Sequence, residues 1–205
     1  RIMSALRPLA VLLFGLFFGC ISQPGAVEQE SYQVVQGRAL GTTWSVKWLG
    51  YSREQATVAA TVQMELSRLD ALMSSWRNDS EISRVSGQFG PQVVSAETAA
   101  VLQAALDLSS ETKGAFDPTV GPLMELWGFR GNPRKTMPAP GEIQRMHSKV
   151  GFQRIQLGRA SDQWHLDASG TSIDLGAIAK GTGVDWVSRA LQQQHPHHMV
   201  EVGGE

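Results

Sequence analysis

Apolar residues recur at helical spacing from Glu54 to Trp76. Val58, Val62, Leu66, Leu69, Met73 and Trp76 share one stripe, which predicts a long amphipathic helix. Ahead of it the period changes to two. Trp44, Val46 and Trp48 alternate with Ser45 and Lys47, predicting a strand over Thr42–Leu49. Ser31–Gly37 is also strand-prone, and the link Gly37–Gly41 makes the pair a hairpin. Asn78-Asp79-Ser80 stops the long helix, and Ser80 can cap a short one through Arg84. Ser95 caps a further helix, Ala96–Thr112. Its Ala100, Leu102, Ala105, Leu106 and Leu108 predict burial on several sides, and Gly114 ends it. Asp117 is placed to cap a third helix carrying Val120, Leu123, Met124 and Trp127, with Pro118 at its first position.

The proline-rich, basic stretch Arg130–Gly141 reads as a surface loop, and Glu142–Lys149 as a short helix. Strands are expected at Phe152–Leu157 and Gln163–Leu166, turning around Gly158 and Asp162, and again between Gly170 and Asp174. Gly183–Gln194 then gives a helix with Val184, Val187 and Leu191 inward, and His198–Val202 a last strand. Helices and hairpin-like strands in mixed order favour an α+β fold with a largely antiparallel sheet over a doubly wound parallel one. Glu205 directly follows an apolar strand and a glycine pair, so the domain is expected to be incomplete at its C-terminus.

The N-terminal segment has a different character. Arg1 and Arg7 precede an apolar run, Leu9–Cys20, laid out as a secretory signal and too brief for a comfortable membrane span. The lone cysteine, Cys20, closes that run after Gly19, as in a bacterial lipobox. The expectation is a lipidated Cys20 and a lipoprotein of the inner membrane facing the periplasm. A plain signal peptide or an uncleaved anchor are the alternatives. The chain thus divides into a signal (1–20), a polar tether (21–30) and a folded domain (31–205). A single cysteine excludes an internal disulfide and a cysteine-paired metal. The net charge of −1 argues against a basic nucleic-acid surface.

The candidate chemistry centres on Asp174-Leu175-Gly176-Ala177-Ile178-Ala179-Lys180-Gly181-Thr182-Gly183. Strand, glycine-rich turn and helix would present backbone N–H groups to an anion such as a phosphate. Lys180 precedes Gly181, the reverse of a P-loop, and Trp186 stands where a dinucleotide fingerprint needs its third glycine. No serine-hydrolase elbow exists. His195, His197 and His198 flank Pro196 and read as a solvated turn rather than a zinc site. Asp117, Asp174 and Asp185 are possible oxygen donors to magnesium.

Several separated motifs together resemble the ApbE family of FAD:protein FMN transferases. They are Ala39-Leu40-Gly41-Thr42-Thr43-Trp44; Met73-Ser74-Ser75-Trp76 with Asp79–Arg84 after it; Gly114-Ala115-Phe116-Asp117-Pro118-Thr119-Val120-Gly121-Pro122-Leu123 with Trp127-Gly128-Phe129; Asp174–Gly181; and Val202-Gly203-Gly204. The resemblance implies a T-fold-related domain and an FAD site. Leu40, Trp76, Ala115, Phe116, Asp117, Asp174 and Lys180 fall at FAD-contacting positions. Ala177 falls where a main-chain carbonyl coordinates Mg2+. The remaining family ligands, an aspartate and a threonine, are expected beyond Glu205, so this chain should bind FAD only weakly. The implied reaction moves FMN from FAD to a threonine of exported redox-protein subunits, releasing AMP. No residue is assigned as the base. An FAD pyrophosphatase and a non-catalytic flavin-binding lipoprotein remain the alternatives.

Overall fold

The computed structural model describes residues 29–130 and 133–204. The signal segment, most of the tether and the lipidation assignment at Cys20 lie outside the described residues. Among the described residues, no helix is long and apolar enough to cross a membrane.

Strands β1 (Ser31–Ala39) and β2 (Thr42–Gly50) pair antiparallel from Ser31↔Gly50 to Ala39↔Thr42. Only Leu40 and Gly41 connect them, both at positive φ (53° and 72°), as a tight primed hairpin turn requires. The connection is therefore shorter than the predicted link. The alternation in β2 buries Trp44, Val46 and Trp48 on one face. Strand β6 (His198–Val202) pairs antiparallel with the other edge of β2.

Helices α1 (Gln55–Met73) and α6 (Gly176–Leu191) cover the buried face of this sheet. The predicted stripe on α1 holds for Val58, Val62, Leu66, Leu69 and Met73, all buried. The helix stops at Met73, and Trp76 lies in the turn beyond it. Helix α6 starts at Gly176, earlier than the predicted Gly183. The glycine-rich stretch is thus the first half of a helix, not a loop. Gly183 has a packing reason: an added Cβ would stand 3.0 Å from Leu66 Cδ2 and 3.1 Å from Leu69 Cδ2. The missing side chain lets α6 lie close against α1.

A second layer holds α2 (Glu81–Val85), β3 (Gln92–Val94), α3 (Ala96–Glu111), α4 (Gly121–Leu126), α5 (Pro140–His147), β4 (Gln156–Ala160) and β5 (Gln163–Asp167). Its strands run in the order β3-β5-β4, all pairs antiparallel. This is the expected α+β mixture. Ser80 and Ser95 cap α2 and α3 as predicted, accepting the N–H groups of Ser83 and Thr98. Around them Leu102, Leu166, Ile82, Ile173 and Leu175 form a second core, and Leu40 packs against both cores.

Four expectations fail here. The strand expected over Phe152–Leu157 opens as a tight helical turn, Phe152–Arg154, with Ile155 N–H on the Phe152 carbonyl (3.0 Å), and β4 starts only at Gln156 and carries Gly158 inside it. Helix α3 buries one face only, leaving Ala100 and Leu108 exposed, because one side alone meets β4, β5 and α6. The strand expected after Gly170 does not form. Thr171–Leu175 is irregular and pinned by loops: Gly87 N–H to the Thr171 carbonyl (2.8 Å), Ile173 N–H to Ser86 Oγ (2.7 Å) and Asp174 N–H to the Pro118 carbonyl (2.7 Å). The histidines form a solvated turn only at His197, which is exposed; the other two are held. His195 is buried, its ring 5.8 Å from that of Trp48 and its Nδ1 3.9 Å from Glu54. The His198 ring bridges Ser188 Oγ (2.8 Å) and the His195 carbonyl (2.6 Å).

Candidate functional site

The hairpin turn, the end of α1 and the start of α6 meet around a cleft of about 490 Å³. Leu40, Gly41, Leu69 and Met73 give it an apolar floor, Asp70 and Ser74–Arg77 form one wall, and Gly176, Ala179 and Lys180 form the other. Buried Ser80 shapes the first wall. Its hydroxyl donates to the Ser74 carbonyl (2.6 Å) while its oxygen accepts Ser83 N–H (3.1 Å), which fixes where the chain leaves α1. Trp76, 72% exposed, is thereby held at the rim with its indole uncovered. Arg77 is fixed by Asp79 (2.8 Å) and Asp70 (3.1 Å). The hydrogen bonds that Arg77 donates to Asp79, and then to Asp70, hold its guanidinium above its ordinary value, and the bond to Asp79 holds that carboxyl below its own.

Asp174 ties the two walls together. Its Oδ1 accepts Gly176 N–H (2.8 Å) and approaches the Ser75 hydroxyl (3.5 Å); its Oδ2 accepts the Arg130 guanidinium at 2.6 Å. The first N–H of α6 is therefore already met by a carboxylate. The sequence reading of an open anion cradle at that turn is corrected accordingly.

Of the sequence-derived site residues, Leu40, Trp76 and Lys180 line the cleft and Asp174 borders it. Ala115, Phe116 and Asp117 do not line it. They sit one hydrogen bond away, behind the Pro118 carbonyl that receives Asp174 N–H. Phe116 packs on the second core. Asp117 is not a helix cap, since α4 begins at Gly121 behind Val120. Its Oδ1 accepts Thr119 N–H (2.8 Å) and the Thr119 hydroxyl (2.6 Å), and its Oδ2 accepts Phe152 N–H (3.0 Å). Ala177 is exposed in the first turn of α6 but lines no wall. Asp185 belongs to a separate groove between α3 and α6, 3.9 Å from Arg189. The aspartates therefore do not converge, and among the described residues no group of three or more His, Cys, Asp or Glu could hold a metal. These residues do not by themselves fit a magnesium site.

Sequence reasoning passed over Ser75, Arg77 and Arg130. Ser75 lies inside the Met73–Trp76 motif and Arg77 directly follows it, so adjacency could have marked them. Arg130 carried no local signal, because its partner is 44 positions away.

An apolar-floored cleft at one end of an antiparallel sheet and its two covering helices, with an exposed indole and both charge signs in its lining, defines a protein that can receive a flat, polar-substituted ligand. The model of the ApbE family matches residues 40–205. The chain is 32% identical to "FAD:protein FMN transferase" of Salmonella typhimurium over 98% of its own length and 60% of that protein. It is 34% identical to the protein of that name from Haemophilus influenzae, over 95% and 60%. Among solved structures it is similar to "Flavin Transferase ApbE from Vibrio cholerae", with TM-score 0.77 and 32% identity over 86% of this chain and 58% of that one. The chain belongs to the ApbE family, and it spans about 60% of the length of these curated relatives.

Proposed function

We propose that this protein transfers FMN from FAD to a threonine hydroxyl of an exported acceptor protein, releasing AMP. The observation that carries the proposal is the convergence of Leu40, Trp76 and Lys180, from segments far apart in sequence, on one cleft beside Asp174. The apolar floor suits a flat ring, the exposed indole can stack on it, and Lys180 brings positive charge near its phosphates, while the charge of Arg77 is offset by Asp70 and Asp79. In the reaction the threonine oxygen bonds to the FMN-side phosphorus. The phosphoanhydride bond breaks, AMP leaves with its electron pair, and the threonine proton passes through solvent to buffer or to the AMP phosphate. The protein's part is chiefly holding and orienting the nucleotide. Magnesium dependence stays in the proposal on the family resemblance alone: the described residues offer it the Ala177 carbonyl, and no step above runs through the ion.

The full-length gene product, incubated with FAD, magnesium and an acceptor domain bearing a threonine, is followed by intact mass. A gain of one FMN on the acceptor supports transfer. Free FMN and AMP with an unchanged acceptor would establish a pyrophosphatase instead, and bound FAD without turnover a binding protein. Lipid anchoring at Cys20 in the cell envelope belongs to the same proposal and rests on the sequence of Leu9–Cys20. A radiolabelled lipid precursor should label the wild type and not Cys20→Ser; label on the variant would overturn that assignment.

A further inference from the structure

We propose that Arg130 is a positioning residue: it neutralises Asp174, so that the phosphates of a flavin nucleotide can lie beside that carboxylate. The inference rests on the flavin reading and adds a residue and a physical role to it. Asp174 reaches the cleft through Ser75 and Gly176, both lining residues. Its side chain is only 13% exposed. A bare carboxylate that poorly solvated would repel a diphosphate, and low local dielectric strengthens the repulsion. Arg130 stands 2.6 Å away and is itself only 14% exposed. Its other carboxylate neighbour, Glu125, is 4.0 Å away and largely exposed to solvent, so Asp174 is the partner that matters. A guanidinium keeps its charge throughout the working pH range.

Local structure explains why Arg130 arrives there. Helix α4 closes with Phe129 N–H on the Met124 carbonyl (2.9 Å) and Gly128 N–H on the Glu125 carbonyl (3.0 Å). With Gly128 at φ 74°, this is the glycine-dependent reversal that ends many helices. It turns the chain back after Trp127 and sends Arg130 toward Asp174. The pair therefore joins the α4 exit to the cleft wall without itself touching reacting atoms.

The test titrates FAD and riboflavin into wild type, Arg130→Met, Arg130→Lys and the double variant Arg130→Met/Asp174→Asn, following flavin fluorescence. Riboflavin has the same ring and no phosphate. In Arg130→Met, FAD affinity should fall about tenfold or more while riboflavin affinity stays within about twofold. Arg130→Lys should restore part of the loss. The double variant should restore most of it, because the carboxylate that needed neutralising is gone. Unchanged FAD affinity in Arg130→Met, or an equal loss for both flavins, would overturn the inference and leave the flavin reading standing. Failure of the wild type to bind either flavin would sink the flavin reading and this inference with it.

Discussion

Replacing Asp117 by alanine strands two main-chain donors. The carboxylate accepts Thr119 N–H, the Thr119 hydroxyl and Phe152 N–H, and Thr119 Oγ1 in turn accepts Gly151 N–H at 2.7 Å. In the alanine variant the Thr119 hydroxyl can rotate to another acceptor. The N–H groups of Thr119, which is fully buried, and of Phe152 cannot. An unsatisfied buried donor costs about 1–3 kcal/mol; Thr119 bears that in full and half-buried Phe152 only in part, which gives a loss of about 2–5 kcal/mol for the two together. Summing all three hydrogen bonds separately would overcount, since they share one carboxylate. Asn keeps one carbonyl oxygen and so one of the stranded donors, which halves the cost to about 1–3 kcal/mol. Urea unfolding of wild type, Asp117→Ala and Asp117→Asn, with m-values compared, measures this directly. A loss under about 0.5 kcal/mol in Asp117→Ala would refute the claim that this carboxylate holds the α4 approach to Gly151.

Gly183→Val should lower stability by about 1–3 kcal/mol, because the new side chain meets Leu66 and Leu69 where α6 crosses α1; an unchanged melting temperature would contradict that packing. Glu54 should make the fold acid-sensitive. The Tyr51 N–H, foremost, and then Trp48 and His195 hold its carboxyl below its ordinary value of 4.5. Its folded pKa is depressed, so its contribution is complete above that value and is lost as pH falls through the folded one. Glu54→Gln should therefore flatten the decline in stability below about pH 4.5 and change little in slope at neutral pH; an equally steep acid decline in the variant would count against it.

Much of the fold follows from period and punctuation. The stripe on α1, the alternation in β2 and the serine caps at Ser80 and Ser95 are local, and the chain obeys them. What escaped was decided at a distance. The glycines of Gly176–Gly183 look like a loop until Leu66 and Leu69 are set against Gly183. Asp117 looks like a cap because Phe152 N–H, 35 positions on, is not visible locally. Leu40 hides a two-residue turn, because a β-hairpin of that length ordinarily shows Asn or Gly there. The site was legible in the same measure. Leu40, Trp76 and Lys180, picked out by motif, line one cleft, while the contact of Arg130 with Asp174 becomes visible only once the α4 reversal is seen.

The central claim is that this cleft holds the flavin nucleotide against Trp76. Titration of FAD into wild type, Trp76→Phe and Trp76→Ala tests it most directly. Trp76 is largely exposed, so none of the variants should unfold earlier than wild type. FAD binding should weaken about tenfold in Trp76→Ala, with much of it kept in Trp76→Phe. FAD binding to Trp76→Ala at wild-type affinity would contradict the claim.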